Sequence, residues 1–256
     1  MLVLGIALAG CVSSKYRMTG KEAKPAVPVE MKAGAGDISV TLDAVIAHDG
    51  PGSWKREAYW DEYVVRLENH GAVPVLIASA EVVGVGDLIS LAGAAPWILD
   101  RQGHVNERTL RKNNILVAAG STPDPAAVIA GGTLGVLVTP IAPFLTVSAV
   151  QGMLVVGGVA LAAYAPVGLT SHFLVDPKHR NLVEQEFKRR CLVLPVSIGP
   201  GQGVTGSLFF ALTPGPQRMI VRGQIGENPL EFTLDLQPFA GLHLKPPGKH
   251  QPPSRT

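Results

Sequence analysis

The sequence predicts a mainly β protein: a β-sandwich interrupted by an apolar α-helical hairpin and an amphipathic helix. Three observations carry this expectation. Short runs of alternating apolar and polar residues recur in the first and last thirds of the 256-residue chain, divided by turns drawn from 29 Gly and 21 Pro. Charged residues make up only 16% of the chain, against a typical figure of about 25%. From Pro125 to Val175 there is no Asp, Glu, Lys or Arg at all.

Residues 12–36 read as a tether. Pro25, Pro28, Gly34 and Gly36 break any period, and Lys15, Lys21, Lys24 and Lys32 keep the segment solvated. The first strand follows, with Ile38, Val40 and Leu42 alternating with Ser39, Thr41 and Asp43. Tyr63 to Leu67 is a second strand, and Asn69-His70-Gly71 supplies a turn. Val73 to Val83 is a third, with Pro74 suited to a strand start. Toward the C-terminus, Leu192 to Ile198, Val204 to Leu212, Met219 to Val221 and Leu230 to Leu234 read as strands. Gly199-Pro200-Gly201 and Pro214-Gly215-Pro216 divide them.

Neither half offers the seven or so strands that close a two-sheet core. Residues 37–87 and 191–240 are therefore expected to form one discontinuous sandwich. Residues 88–190 would be a helical insertion and residues 241–256 a disordered tail. The tail from Pro246 to Thr256 is Pro-rich and basic. Tyr63 to Pro74, a strand followed by Asn-x-Gly and Pro, resembles the immunoglobulin-like domains of secreted bacterial proteins. Pro195 to Phe210, a Pro-Gly turn followed by Gly206 and a Phe pair, resembles them too. That resemblance implies a fold and no particular function.

Within the insertion, Asp124-Pro125 and Asp176-Pro177 are helix-start signals. The helix after Pro177 has an apolar stripe of Leu182, Val183 and Phe187, and Glu184 and Lys188 are spaced for an i,i+4 pair. The charge-free stretch divides at Pro140 and Pro143, which predicts a hairpin over residues 125–169. Gly131 and Gly135 have the spacing that lets two helices approach closely, as do Ser148 with Gly152 and Gly158 with Ala162. Nine Val, Leu and Phe residues lie between Phe144 and Tyr164. On an insertion scale they sum to about −3 to −5 kcal/mol before the polar residues oppose them. Arg108, Arg111, Lys112, Lys178 and Arg180 flank the hairpin on what would be one side of a membrane.

At the start of the chain, an apolar run from Leu2 to Ala7 leads into Leu8-Ala9-Gly10-Cys11 and then a polar stretch. This arrangement resembles the lipobox of bacterial lipoproteins. In that family the cysteine thiol receives a diacylglyceryl group and the preceding peptide is removed. The resemblance implies a signal peptide over residues 1–10 and lipidation at Cys11. With Val12 after the cysteine, it also implies sorting to the outer membrane, with the body facing the periplasm. Cys191 is then left without a disulfide partner.

Chemistry is sparse. Formal net charge is +2, too small a field for a nucleic-acid binder. Gly201-Gln202-Gly203-Val204-Thr205-Gly206 matches a dinucleotide fingerprint, but Ser207-Leu208-Phe209-Phe210 after it is strand and not helix. His48, His70 and His179 are dispersed, and Glu184 and Glu186 do not share a helix face. Trp54, Trp60 and Trp97 read as core or interfacial residues, with Trp54 also a candidate sugar platform. The sequence points to no catalytic residue, cofactor or metal. The expectation is a non-enzymatic envelope lipoprotein with a structural or adaptor role, using the hairpin for membrane or partner contact. A subunit of a multiprotein envelope assembly, a homo-oligomer, and an enzyme whose site forms only in three dimensions are the alternatives.

Overall fold

The computed structural model describes residues 16–19, 25–120 and 177–245. Two antiparallel sheets dominate it. One has the order β2 (Pro28–Ala35), β3 (Ile38–Ile46), β5 (Trp60–Asn69), β9 (Gln202–Ala211). The other runs β11 (Asn228–Asp235), β10 (Arg218–Ile225), β6 (Val75–Val83). The far edge of β6 is shared: β7 (Ile89–Leu91) pairs with its end and β8 (Val196–Ile198) with its beginning. A two-stranded ribbon of β1 (Arg17–Met18) and β4 (Lys55–Arg56) completes the strands.

Alternation places one set of side chains from each sheet in a shared core. Val40, Leu42, Val65 and Leu67 from the first sheet meet Ile77, Val82, Val221 and Phe232 from the second. The strands before and after residues 88–190 are interleaved. β5 pairs with β9 over ten residue pairs, from Trp60↔Ala211 to Asn69↔Gln202, and β6 pairs with β10.

The outer face of β5 and β9 carries a second core, roofed by two helices. These are α1 (Pro96–Lys112) and α2 (Pro177–Arg190). Leu99 of α1 and Val183 and Phe187 of α2 pack with Trp54, Trp60 and Phe209. Phe187 stacks on Phe209 with ring centroids 4.0 Å apart. Gly103 lets α1 lie directly on the sheet, because a Cβ there would fall 2.1 Å from the Tyr59 carbonyl oxygen.

Several expectations are corrected. The segment expected to be a tether supplies β1, β2 and the buried Tyr16. β2 escapes a period search because it is an edge strand, with a register irregularity between Pro28 and Met31 and a positive φ at Glu30. Residues 241–245 are not part of a tail, since Leu242 and His243 are fully buried. Residues 88–190 are not simply an insertion: β7 extends a sheet, and α1 and α2 form half of a core. The strand expected from Leu192 is confined to Val196–Ile198.

Helix α1 was not anticipated from the sequence. Its buried stripe is Pro96, Leu99, Asp100, Gly103, Asn106 and Leu110, which is half polar or small and so lacks the apolar period. The helix after Pro177 forms as expected, but only Val183 and Phe187 are buried, while Leu182 is 50% exposed. Its i,i+4 pairs are Arg180–Glu184 and Glu186–Arg190, not Glu184–Lys188. The hairpin over residues 125–169 lies outside the described residues.

Because Phe187 is completely buried between Trp60 and Phe209, Phe187→Ala should cost about 3–5 kcal/mol of stability. Urea unfolding followed by circular dichroism measures this. A loss within the range of a surface substitution would mean that α2 merely rests on the sheet.

Candidate functional site

Among the described residues, the most concentrated polar chemistry sits at the start of β5. Consecutive residues of a strand point to opposite faces. Asp61 therefore faces the core between the sheets, and Glu62 faces the helical roof. Both carboxylates are essentially inaccessible to water.

Asp61 uses both of its oxygens. Oδ1 accepts the His48 backbone N–H at 2.8 Å, and Oδ2 lies 2.8 Å from His243 Nε2. His243 Nδ1 accepts the Gly120 N–H at 3.1 Å. That bond requires a lone pair on Nδ1, so the ring carries its proton on Nε2 and donates it to Asp61. Burial acts to raise the Asp61 pKa. The His243 ring, Lys55 and the His48 N–H outweigh burial and hold the carboxyl below its ordinary value.

Lys55 is the least expected member. It is fully buried, and its Nζ donates to the His48 carbonyl oxygen at 3.2 Å and lies 5.6 Å from the centre of the Trp60 ring. Burial pushes its pKa down, against the pull of Asp61, Glu62 and Asp49. The Ser53 hydroxyl also reaches the His48 carbonyl, at 2.6 Å. His48 packs edge-on to Tyr59, whose ring in turn stacks on His104 at 3.7 Å. Burial lowers the His48 pKa, with Asp49 opposing.

On the other face, Glu62 accepts the Trp54 indole N–H at 2.6 Å and the Ser207 hydroxyl at 2.6 Å. Arg190, the last residue of α2, approaches Glu62 at 3.4 Å and lies 5.5 Å from the Trp54 ring. Its Nε is bound to Glu186 at 2.6 Å. Arg189 and Arg190 hold the Glu186 carboxyl down at about 2, against desolvation.

Chemically, these groups act as clamps. Both ring nitrogens of His243 and both oxygens of Asp61 and of Glu62 are engaged inside the protein, so none is presented to a substrate. The same two acids tie distant segments together. Asp61 joins the 48–55 loop, the end of the described chain at His243 and the backbone at Gly120. Glu62 joins Trp54, β9 and the end of α2.

Of the residues singled out in the sequence, Cys11, Gly131, Gly135, Gly152, Gly158 and Ala162 lie outside the described residues, as does the side chain of His179. Cys191 is a free, half-buried thiol whose pKa burial raises, the opposite of an activated cysteine. Trp54 is buried under Arg190 and hydrogen-bonded to Glu62, and presents no platform to a sugar. Gly201 occupies a turn at positive φ ahead of β9, so the G-x-G-x-x-G match is strand and turn. His70 is exposed, whereas His48 is buried. Sequence reasoning missed Lys55, Asp61, Glu62 and His243. One signal was available: Trp60-Asp61-Glu62-Tyr63 puts two acids between aromatics inside a strand, where an unpaired charge would be costly.

Among the described residues, no helix is long and apolar enough to cross a membrane. No group of three or more His, Cys, Asp or Glu among them converges as a metal site. No protein-family model, curated protein or solved structure matches this chain.

Removing the Asp61 charge leaves Lys55 buried beside a weaker partner. It also sets an amide N–H or oxygen where His243 and His48 both need acceptors. Asp61→Asn should cost about 3–5 kcal/mol. The folded-state pKa of Asp61 lies below the ordinary aspartate value of 3.8. Its stabilising contribution is thus complete above that value and disappears as pH falls through the lower, folded value. The variant should therefore lose less stability on acidification below about pH 4 than the wild type. Thermal unfolding across pH 2.5–7, as an approximate range spanning the aspartate pKa, decides this; parallel acid limbs would remove Asp61 from the account.

Proposed function

We propose that this protein is a non-enzymatic lipoprotein of the cell envelope, anchored through Cys11, with a structural or adaptor role. Further membrane contact would come from the charge-free stretch between Pro125 and Val175. The observation that carries this reading is the run Leu8-Ala9-Gly10-Cys11 behind an apolar segment. Sorting to the outer membrane, with the body in the periplasm, goes with Val12. The internal use of Asp61, Glu62 and His243 supports a scaffold role, because the polar groups most suited to chemistry are spent on holding segments together.

The strand connectivity supports the immunoglobulin-like reading of the body. β3, β5 and β9 would take the places of strands A, B and E, and β6, β10 and β11 those of C, F and G. β7 would extend the second sheet beyond C. The segment that carries α1, residues 121–176 and α2 then lies between that strand and E, where strand D runs in the standard fold.

A second reading, a subunit of an envelope assembly, is favoured by one feature. Ile89 and Leu91 are 55% and 61% exposed on the edge strand β7. An apolar edge is a template for a partner strand. Stoichiometric copurification with a second envelope protein would favour this reading over the first.

Cys11→Ser should abolish acylation and leave the first ten residues uncleaved. Metabolic labelling with a fatty acid measures both, through label on the band and its mobility. Label persisting in the variant would end the lipoprotein assignment.

A further inference from the structure

A sheet edge with unpaired backbone groups invites a further strand, and folded proteins close such edges with proline, charge, irregular backbone or a covering segment. The edges of this body are mostly closed in these ways. On β2, Pro28 lacks an N–H, Glu30 has a positive φ and Lys32 is exposed. On β11, Pro229, Glu231 and Asp235 are exposed. The edge of β9 is covered, because the N–H groups of Leu192 and Gly93 take its Ser207 and Phe209 carbonyls. β8 follows directly on Pro195.

β7 has none of these devices. From Leu88 to Ala95 there is neither a charged residue nor a proline. The Gly84 N–H donates to the Leu88 carbonyl at 2.8 Å and the Ala92 N–H to the Ala80 carbonyl at 2.9 Å, with Val82 opposite Ser90 between them. Alternate residues of a strand direct their backbone groups to opposite sides. Leu88, Ser90 and Ala92 thus face β6. Ile89 and Leu91 turn their N–H and C=O to the open edge, where no described residue meets them. The side chains of the same two residues are exposed, whereas Ser90 is buried with its hydroxyl on the Ala211 carbonyl.

We propose that β7 is a self-pairing edge: two copies of this chain join through antiparallel β7 strands about a two-fold axis at Ser90. The proposal rests on the assembly reading above and names a second copy as the partner. The axis sets Ile89 opposite Leu91 of the second copy, and Leu91 opposite its Ile89. Both are hydrogen-bonded pairs in that register, so every outward N–H and C=O of the two residues is satisfied in both copies. Neighbouring registers fail. A shift of two residues one way sets Leu91 opposite Asp87, whose positive φ takes it out of the strand. The opposite shift sets Ile89 opposite Gly93, whose N–H is already on Phe209. The flanks also fit the two-fold: Asp87 meets Gly93 and Gly86 meets Ala94, so neither like charges nor bulky side chains oppose each other. The apolar side chains of Ile89 and Leu91 from both copies then cover one another on one face. The second sheet becomes continuous from β11 of one copy to β11 of the other.

The test uses the purified full-length chain in detergent. Analytical ultracentrifugation up to about 100 µM, where a micromolar Kd is saturated, should show a dimer. Leu91→Lys sets two cations beside the pairing and should return the protein to a monomer with an unchanged circular dichroism spectrum. Register is read separately by disulfide cross-linking in a Cys191→Ala background, with that parent protein setting the level contributed by Cys11. A mixture of Ile89→Cys and Leu91→Cys copies should form much more covalent dimer than either variant alone. A monomeric wild type, a dimer indifferent to Leu91→Lys, or a mixture that cross-links no better than the separate variants overturns self-pairing. If the wild type is monomeric yet copurifies with a different envelope protein, and Leu91→Lys loses that protein, self-pairing is overturned and the assembly reading stands. A wild type that neither dimerises nor holds another protein through β7 overturns both.

Discussion

Two consecutive carboxylates, Asp61 and Glu62, are the constraint on which the rest of this structure depends. A strand sends them to opposite faces, and both faces are covered. Neither can be left without partners, because a buried unpaired charge costs several kcal/mol. Each therefore recruits groups from far along the chain. Asp61 takes the His48 N–H and the His243 ring. Glu62 takes Trp54, Ser207 and Arg190. The 48–55 loop, the C-terminal segment and the last turn of α2 are all positioned by this requirement.

The same arrangement accounts for how a sandwich accommodates a long interruption. Loop-closure entropy rises only slowly with length, so the chain between β7 and β8 adds little entropic cost through its size alone. What matters is how its ends are held. On the outgoing side, Asp100 of α1 accepts the Tyr59 N–H and Asn106 donates to the Leu212 carbonyl. Beyond α1, His243 receives the N–H of Gly120. On the returning side, Phe187 packs on Phe209, and Arg190 closes on Glu62. The helices are thus structural parts of the body, and the apolar residues they bury complete the outer face of the first sheet.

This economy bears on function. Buried histidine, lysine and acidic residues in one cluster would ordinarily suggest an active site. Here the hydrogen bonds of Asp61 and His243 close on one another and on the backbone and hold the Asp61 carboxyl low, while burial pushes the Lys55 ammonium down. Among the described residues, these buried polar groups hold the 48–55 loop, the segment at His243 and the end of α2 against the start of β5.

The alternating runs at Ile38–Leu42, Tyr63–Leu67 and Leu230–Leu234 made the sheet legible from the sequence, because period-two burial depends only on local order. Pro74 and Pro177 marked the start of β6 and of α2 for the same reason: proline restricts its own backbone wherever it stands. The charge-free stretch and the residues around Cys11 are equally local features. What only the tertiary structure decided is which polar residues go inside. Asp100 and Asn106 hide α1 from a search for apolar periods, since their partners are backbone groups at the starts and ends of distant strands. His243, assigned to a tail by composition, is buried by an acid 182 residues away. Lys55 donates to the His48 carbonyl, only seven residues before it, and is enclosed by a loop whose shape only folding fixes. Burial of a polar group is decided by its partners, and partners at long range leave no trace in local sequence.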